Sequence, residues 1–397
     1  MRPQVRSELR LDPRLAEIHA AEYPRFSDAE MARRRSALER VMREAGVDHL
    51  LVCGEQRAGT GVGWLTSWPT TTEAVVIFAP PEPQVMYMEW YNHWPLAKIL
   101  ARDTDVRWGE HRGIEKTIAD LKARNVKRLG FMGFLGLSKI RKLESAFGPL
   151  VDLNREYVQL RLVKSQEEID WMRVACALTD LAIGALRTEA RAGMTERELG
   201  AICEAAYHPH GGWTFIHYFL ATPMDDPQYC VPRQIASSRK IRKGDAIATE
   251  ITAQFFDYPG QILRSFTVDA EPTPLFRRLH ETAEAAFDAV TAVIRHGTTM
   301  QQIVDAAGVI EDAGFTVYDD LMHGFGGGYF PPVLGSRSRP AGPIPDMTLE
   351  AGMTLVVQPN VITKDARAGV QVGELVHITE HGFDRLHKAP RALFRVA

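Results

Sequence analysis

At 397 residues, with 45% hydrophobic and 24% charged residues, the chain can bury two sizeable cores and has the make-up of an ordinary soluble globular protein. Its 47 Lys and Arg stand against 50 Asp and Glu, a net charge of −3, and no long basic run is interleaved with aromatics, which argues against nucleic acid as a partner. No segment approaches the ~20 apolar residues of a membrane span, and the N-terminus lacks a signal-like apolar stretch. The four cysteines (Cys53, Cys176, Cys203 and Cys230) form no CxxC pair, and read as free thiols of a reducing cytoplasm.

Residues 1–30 are charged and irregular and read as an N-terminal arm. Residues 31–160 alternate helical and β-type runs, with apolar stretches at 49–53, 74–78, 84–88 and 128–132, the pattern of a small α/β domain. The segment up to Val163 reads as a connector strand and linker. Residues 161–397 then form a second domain. Ser165 with Glu168 is a capping box, and the apolar residues Ile169, Met172, Cys176, Ile183 and Leu186 behind it keep to one helical face. Thr195 with Glu198 opens the next helix. Strands are expected over 245–253, 262–268, 354–357 and 370–379, with helices over about 274–295 and 299–314 between them. Two helix-pair-plus-strand units in succession predict a duplicated α+β half-barrel with a curved sheet.

Four segments in fixed order carry the chemistry. They are Gly244–Ala253, then Tyr258–Phe266 (YPGQILRSF), then Met322-His323-Gly324-Phe325-Gly326, then Gly352–Pro359 followed by GVQVGELVHITEHG from Gly369. Together with the helix start at Lys164-Ser165, they resemble the pita-bread fold family, M24-like, which includes aminopeptidase P, prolidase, creatinase and ectoine hydrolase. The resemblance spans roughly residues 160–390. The glycine run 324–328 has no strand–loop–helix setting, so a nucleotide loop is not expected there.

The metal-dependent members hold two divalent ions with two Asp, one His and two Glu. Carried over, these positions fall on Glu250, Gln261, His323, Gln358 and Gly373. Neutral amides and a glycine are poor ligands for hard cations. The resemblance therefore points to the metal-independent creatinase and ectoine hydrolase branch, with no metal and no cofactor. It implies hydrolysis of a C–N bond (amidine, cyclic amide or amide) in a small nitrogenous, carboxylated substrate by acid–base catalysis. One alternative is a metal-dependent Xaa-Pro aminopeptidase or dipeptidase with a remodelled site. Another is a non-catalytic binding protein, and lyase chemistry stays open.

The catalytic candidates are Glu250, His323, Glu374 and His217. Glu374 lies one residue past the lost ligand. His217 is the substitute for a histidine acid–base whose position falls on Arg233, since a guanidinium stays protonated at neutral pH. Arg233, Gln261, Gln358 and Arg57 are expected to hold substrate. Four of the seven tryptophans lie between Trp64 and Trp94. By the resemblance, Trp64, Trp68 and Arg57 form a lid that closes over the site of a homodimer partner.

Overall fold

The computed structural model describes residues 8–56 and 60–397; Arg57, one of the expected lid residues, lies outside them. The chain divides into two compact units, Ala20–Arg161 and a discontinuous one made of Met1–His19 with Leu162–Ala397.

In the first unit a six-stranded mixed sheet is built from β1 (His49–Gly54), β2 (Ala74–Phe78), β3 (Gln84–Met88), β4 (Thr104–Trp108), β5 (Leu129–Gly133) and β6 (Val151–Asp152), in the order β4-β3-β2-β1-β5-β6. β1 and β2 are buried along their whole length, which is why they read as unbroken apolar runs instead of alternating ones. One core layer collects Leu50, Val52, Val76, Met86 and Met132 together with Trp64 and Trp68. Trp64 and Trp68 are 3% and 2% exposed, and the Trp64 ring packs edge-on against Tyr157 at 5.7 Å. The lid expected of these two tryptophans is therefore corrected: they are core residues, because large aromatic faces are worth most when fully removed from water.

Two further expectations change here. The supposed arm carries a helix, Pro13–Ala20, started by Asp12, whose Oδ1 accepts from the Leu15 amide at 3.1 Å. The supposed linker before Val163 is helical over Asn154–Leu162.

The second unit has a nine-stranded sheet. Its main path runs β12-β11-β13-β16-β9-β8-β7, where β7 is Trp213–Pro223, β8 Asp245–Phe255, β9 Tyr258–Val268, β11 Met322–Phe325, β12 Tyr329–Leu334, β13 Thr354–Val357 and β16 Gly373–Ile378. Every pairing along that path is antiparallel. β17 (Phe383–Arg385) and β18 (Leu393–Val396) add at its margins, and a small sheet joins β10 (Thr316–Val317), β14 (Asn360–Ile362) and β15 (Gly369–Gln371). The fold is α+β with the curved sheet of the pita-bread class, preceded by the smaller α/β unit.

Helix Gln166–Glu189 starts at the Ser165 capping box, and Glu196–Tyr207 starts at the Thr195 box. The expected helix 299–314 is two pieces, Met300–Ala306 and Val309–Asp312, separated at Ala307-Gly308. The long helix lies against the back of β8 and β9: Thr179 donates to the Gly260 carbonyl at 2.6 Å and accepts from the Ala253 amide at 3.0 Å. Among the described residues, no helix is long and apolar enough to cross a membrane.

Candidate active site

Side chains alternate between the two faces of a strand, so register decides which candidates can meet. Glu250 pairs with Tyr218 on one side and Leu263 on the other, and Gln261 pairs with Thr252. These residues share the front face. Gly373 pairs with Leu263, and His323 pairs with Val356, which extends that face across β16, β13 and β11. Gln358 follows the end of β13 in the same phase.

The meeting is direct. Gln261 Nε2 donates to Glu250 Oε1 at 2.7 Å and to Gln358 Oε1 at 3.3 Å. Gln358 Nε2 donates onward to Asp320 Oδ1 at 3.1 Å. His323 directs Nδ1 at the Gly324 carbonyl, 3.1 Å away. A carbonyl only accepts, so Nδ1 carries the proton and Nε2 keeps its lone pair. That Nε2 is buried and without a hydrogen-bond partner. The Tyr329 ring lies 4.6 Å from the imidazole, Phe325 lies 5.2 Å from it, and Phe215 lies 5.9 Å from Phe325. The aromatic residues are placed by the β11–β12 hairpin, whose turn is the glycine run: Gly326, Gly327 and Gly328 all have positive φ, a backbone that side chains rarely tolerate.

The electrostatics of this face follow from burial. Glu250, 6% exposed, is pushed up to about 8 by its burial, helped by the nearby charges of Asp319 and Asp320 and opposed by the Gln261 hydrogen bond. Asp319 is pushed up to about 7 by burial and then by Asp320. Asp320 is raised as well, again by burial first. His323 falls to about 4 because burial disfavours the imidazolium. The site at neutral pH is thus a protonated Glu250 beside a neutral imidazole, with two acids of raised pKa at its rim.

Asp319 and Asp320 were not among the expected residues. The signal available in the sequence was two adjacent acids just ahead of an apolar Leu321-Met322 step into the His323 strand.

Three candidates stand elsewhere. Glu374 is opposite Ile262 and Val357, hence on the back face. There Arg264 donates to its Oε2 at 2.6 Å, and Arg385 donates to both of its oxygens, the Oε2 contact at 3.0 Å. Burial raises this carboxyl, but Arg385 and Arg264 prevail and hold it below the usual range. The catalytic role expected of Glu374 is corrected: it is the anion of a buried ion-pair triad. His217, opposite Ile251, also leaves the front face and contacts the Tyr207 hydroxyl at 3.1 Å. Burial lowers it to about 4. Arg233 donates to Glu196 at 2.7 Å and lies over the Tyr229 ring, so its guanidinium is engaged within the protein. Arg57 is outside the described residues.

Residues 170–380, more than half of the chain, match metallopeptidase family M24. The chain belongs to that family of hydrolases. It is 26% identical over 276 residues to an Xaa-Pro dipeptidase of Pyrococcus furiosus, covering 68% of this chain and 76% of that protein. It is 24% identical over 392 residues to an uncharacterised hydrolase/peptidase of Sinorhizobium fredii, covering 93% and 97%. Its fold is that of an Xaa-Pro dipeptidase from Bacillus anthracis (TM-score 0.80, 20% identity, 92% of this chain and 100% of that one). It is equally that of an X-Pro aminopeptidase from Thermotoga maritima (TM-score 0.79, 21% identity, 91% and 99%).

These relatives correct the leading functional expectation. Replacement of ligand residues pointed to creatinase-like, metal-independent cleavage of amidines or cyclic amides. The similarity instead runs to proteins named for Xaa-Pro peptides, which is the alternative reading.

The family name implies metal, and the residues present do not fit the family's pair of ions. Two of the five aligned positions are amides already engaged with Glu250 and Asp320. At Gly373 an added Cβ would stand 2.5 Å from the Val357 carbonyl oxygen and 2.7 Å from the Gln358 Cα, so this backbone admits no carboxylate there. Among the described residues, no three His, Cys, Asp or Glu side chains are grouped to hold an ion.

Proposed function

We propose that the protein hydrolyses the amide bond of a short peptide of the Xaa-Pro class in a remodelled M24 site. The observation that carries this reading is the convergence of Glu250, Gln261, His323 and Gln358 on one sheet face, in a chain whose relatives are named for such peptides.

The chemistry assigned to these side chains follows from their protonation. Hydrolysis forms a bond from water oxygen to the carbonyl carbon, breaks the C–N bond, and delivers a proton to the departing nitrogen. Glu250, protonated at neutral pH, is the group that gives this proton; a carboxyl with a pKa of about 8 is well matched to such general-acid work. His323 Nε2 is an acceptor, fixed in its tautomer by the Gly324 carbonyl, and takes the proton that the attacking water loses; passing it on to the Glu250 carboxylate, directly or through solvent, restores both groups for the next turnover. Gln261 holds Glu250 in place and Gln358 holds the rim. Of the five aligned positions, Glu250 and His323 are the two that carry side chains suited to hold an ion.

The test is proline release from Ala-Pro and Met-Pro by the purified protein, with and without added manganese, cobalt or zinc. Release is expected, and Glu250→Gln should lower it about 10²–10⁴-fold, the span of one general acid. No release under any of these conditions, from protein shown to be folded, overturns the reading.

A further inference from the structure

β9 pairs with β16 at Leu263, opposite Gly373, and at Ile262, opposite Glu374. The next carbonyl along β9 belongs to Gln261, whose side chain holds Glu250. A ring meets it in place of a strand: His387 Nε2 lies 2.8 Å from the Gln261 carbonyl oxygen, and His387 Nδ1 lies 2.8 Å from Asp180 Oδ1 on the long helix Gln166–Glu189. A carbonyl and a carboxylate only accept, so both ring nitrogens carry protons and this fully buried ring is an imidazolium. Burial opposes that charge. The Cys176 thiol beside the ring stays protonated because burial raises it. Asp180 is therefore the counter-charge, and it holds the imidazole well above its usual range. Glu374, already bound to Arg264 and Arg385, also feels the charge of the ring.

A second observation comes from the neighbouring residues. Thr179 donates to the Gly260 carbonyl at 2.6 Å, and a Cβ added at Gly260 would stand 2.4 Å from the Cys176 amide nitrogen, so the helix backbone presses on β9 here. Successive helix residues therefore hold successive carbonyls of the strand, Thr179 directly and Asp180 through His387. Asp180 Oδ2 also accepts from the amides of Lys388 and Ala389, at 2.6 and 3.2 Å, which fastens the ring's own segment to the same carboxylate. A buried ion pair adds little stability over apolar packing of the same volume. What it adds here is direction: charge-assisted hydrogen bonds are short and strong, and these end on the main chain of a site residue.

We infer that His387 is a positioning residue for the front face: it fixes the Gln261 peptide from behind the sheet, and with it the amide that Gln261 presents to Glu250. This rests on the peptide reading above and deepens it, since it assigns the holding of the general acid to a group that never touches substrate. Gln261 Nε2 reaches Glu250 at 2.7 Å and Gln358 at 3.3 Å. A small rotation of the Gln261 peptide would lengthen both bonds, and a misplaced general acid costs turnover more than affinity.

The experiment follows the Gln261 side chain itself. Protein carrying isotope-labelled glutamine shows its amide signal by NMR, assigned by its disappearance in Gln261→Met. The rate at which that amide exchanges with water is measured in the wild type, His387→Ala, His387→Gln and Thr179→Val. His387→Ala should speed the exchange roughly tenfold and lower kcat for Ala-Pro by roughly 10–10²-fold, with KM close to wild type. His387→Gln returns an N–H to the Gln261 carbonyl and should recover most of both. Thr179→Val removes the neighbouring tether and should lower the melting temperature without exposing the Gln261 amide. Asp180→Asn, which takes away the counter-charge of the ring, serves in place of His387→Ala if that variant does not fold. An amide as protected in His387→Ala as in wild type overturns the inference. So does equal exposure in Thr179→Val, because the ring is then one strand contact among others. Exchange that behaves as expected in a protein that releases no proline leaves the hold on Gln261 standing and removes the peptidase reading instead.

Discussion

Glu250 and Glu374 are two buried glutamates on strands of one sheet, and they have opposite fates. Glu374, on the back face, is held by two arginines and stays ionised. Glu250, on the front face, has an amide and two neighbouring acids for company and keeps its proton at neutral pH. The difference teaches where stability and chemistry are kept apart. The back face satisfies its charges internally, while the front face leaves donors and acceptors over for something that is not part of the chain.

That contrast can be broken at its strong end first. Glu374→Ala leaves Arg264, itself fully buried, without its anion, and should cost about 3–5 kcal/mol, read in denaturant unfolding; a loss below about 1 kcal/mol would mean that the triad is not a structural anchor. The front face should respond with the opposite sign. Because Glu250 is raised from 4.5 to about 8, the folded state binds its proton more tightly than the unfolded chain does. The contribution of Glu250 to stability is therefore full below about pH 4.5 and declines as pH climbs through about 8. Glu250→Gln removes that decline, so the variant should gain up to about 5 kcal/mol relative to wild type between acid and pH 9. Melting temperatures taken across that range check it, and parallel curves for the two proteins would show an ordinary glutamate. The smallest effect sharpens the boundary between the faces: Gly373→Ala pushes a methyl against the Val357 carbonyl and should cost about 1–3 kcal/mol, seen as a lowered denaturation midpoint. A neutral result would show that the backbone there can open to admit a side chain.

The sequence made the architecture legible wherever a local signal had one cause. The Ser165 and Thr195 capping boxes mark their helices because a hydroxyl and a glutamate satisfy each other's backbone donors. Helix Asn154–Leu162 escaped because its apolar residues follow no clear helical period. Within the site, Glu250, Gln261, His323 and Gln358 were found from their order along the chain. Glu374 was misplaced by a single residue of strand phase, since its neighbour Gly373 faces the front and every step in a strand reverses direction. His217 fails for the same reason beside Tyr218. Asp319 and Asp320 were missed because adjacent acids in a loop look like solvated surface, and only the fold shows what surrounds them. The reaction class is not legible from the ligand positions for a chemical reason: altered ligands point to a different substrate, whereas the overall likeness to proteins named for Xaa-Pro peptides survives their replacement.

The short helix Pro13–Ala20 has a consequence for how the molecule comes together. Arg14 pairs with Asp170 at 2.5 Å, and His19 touches both the His210 carbonyl and the Phe255 ring, so a segment made early is finished by partners that emerge more than 150 residues later. The intervening unit can complete its own sheet during that wait. A truncated chain that starts at Leu162, although it would contain every front-face residue, would lack the piece that covers the Asp170 end of the long helix.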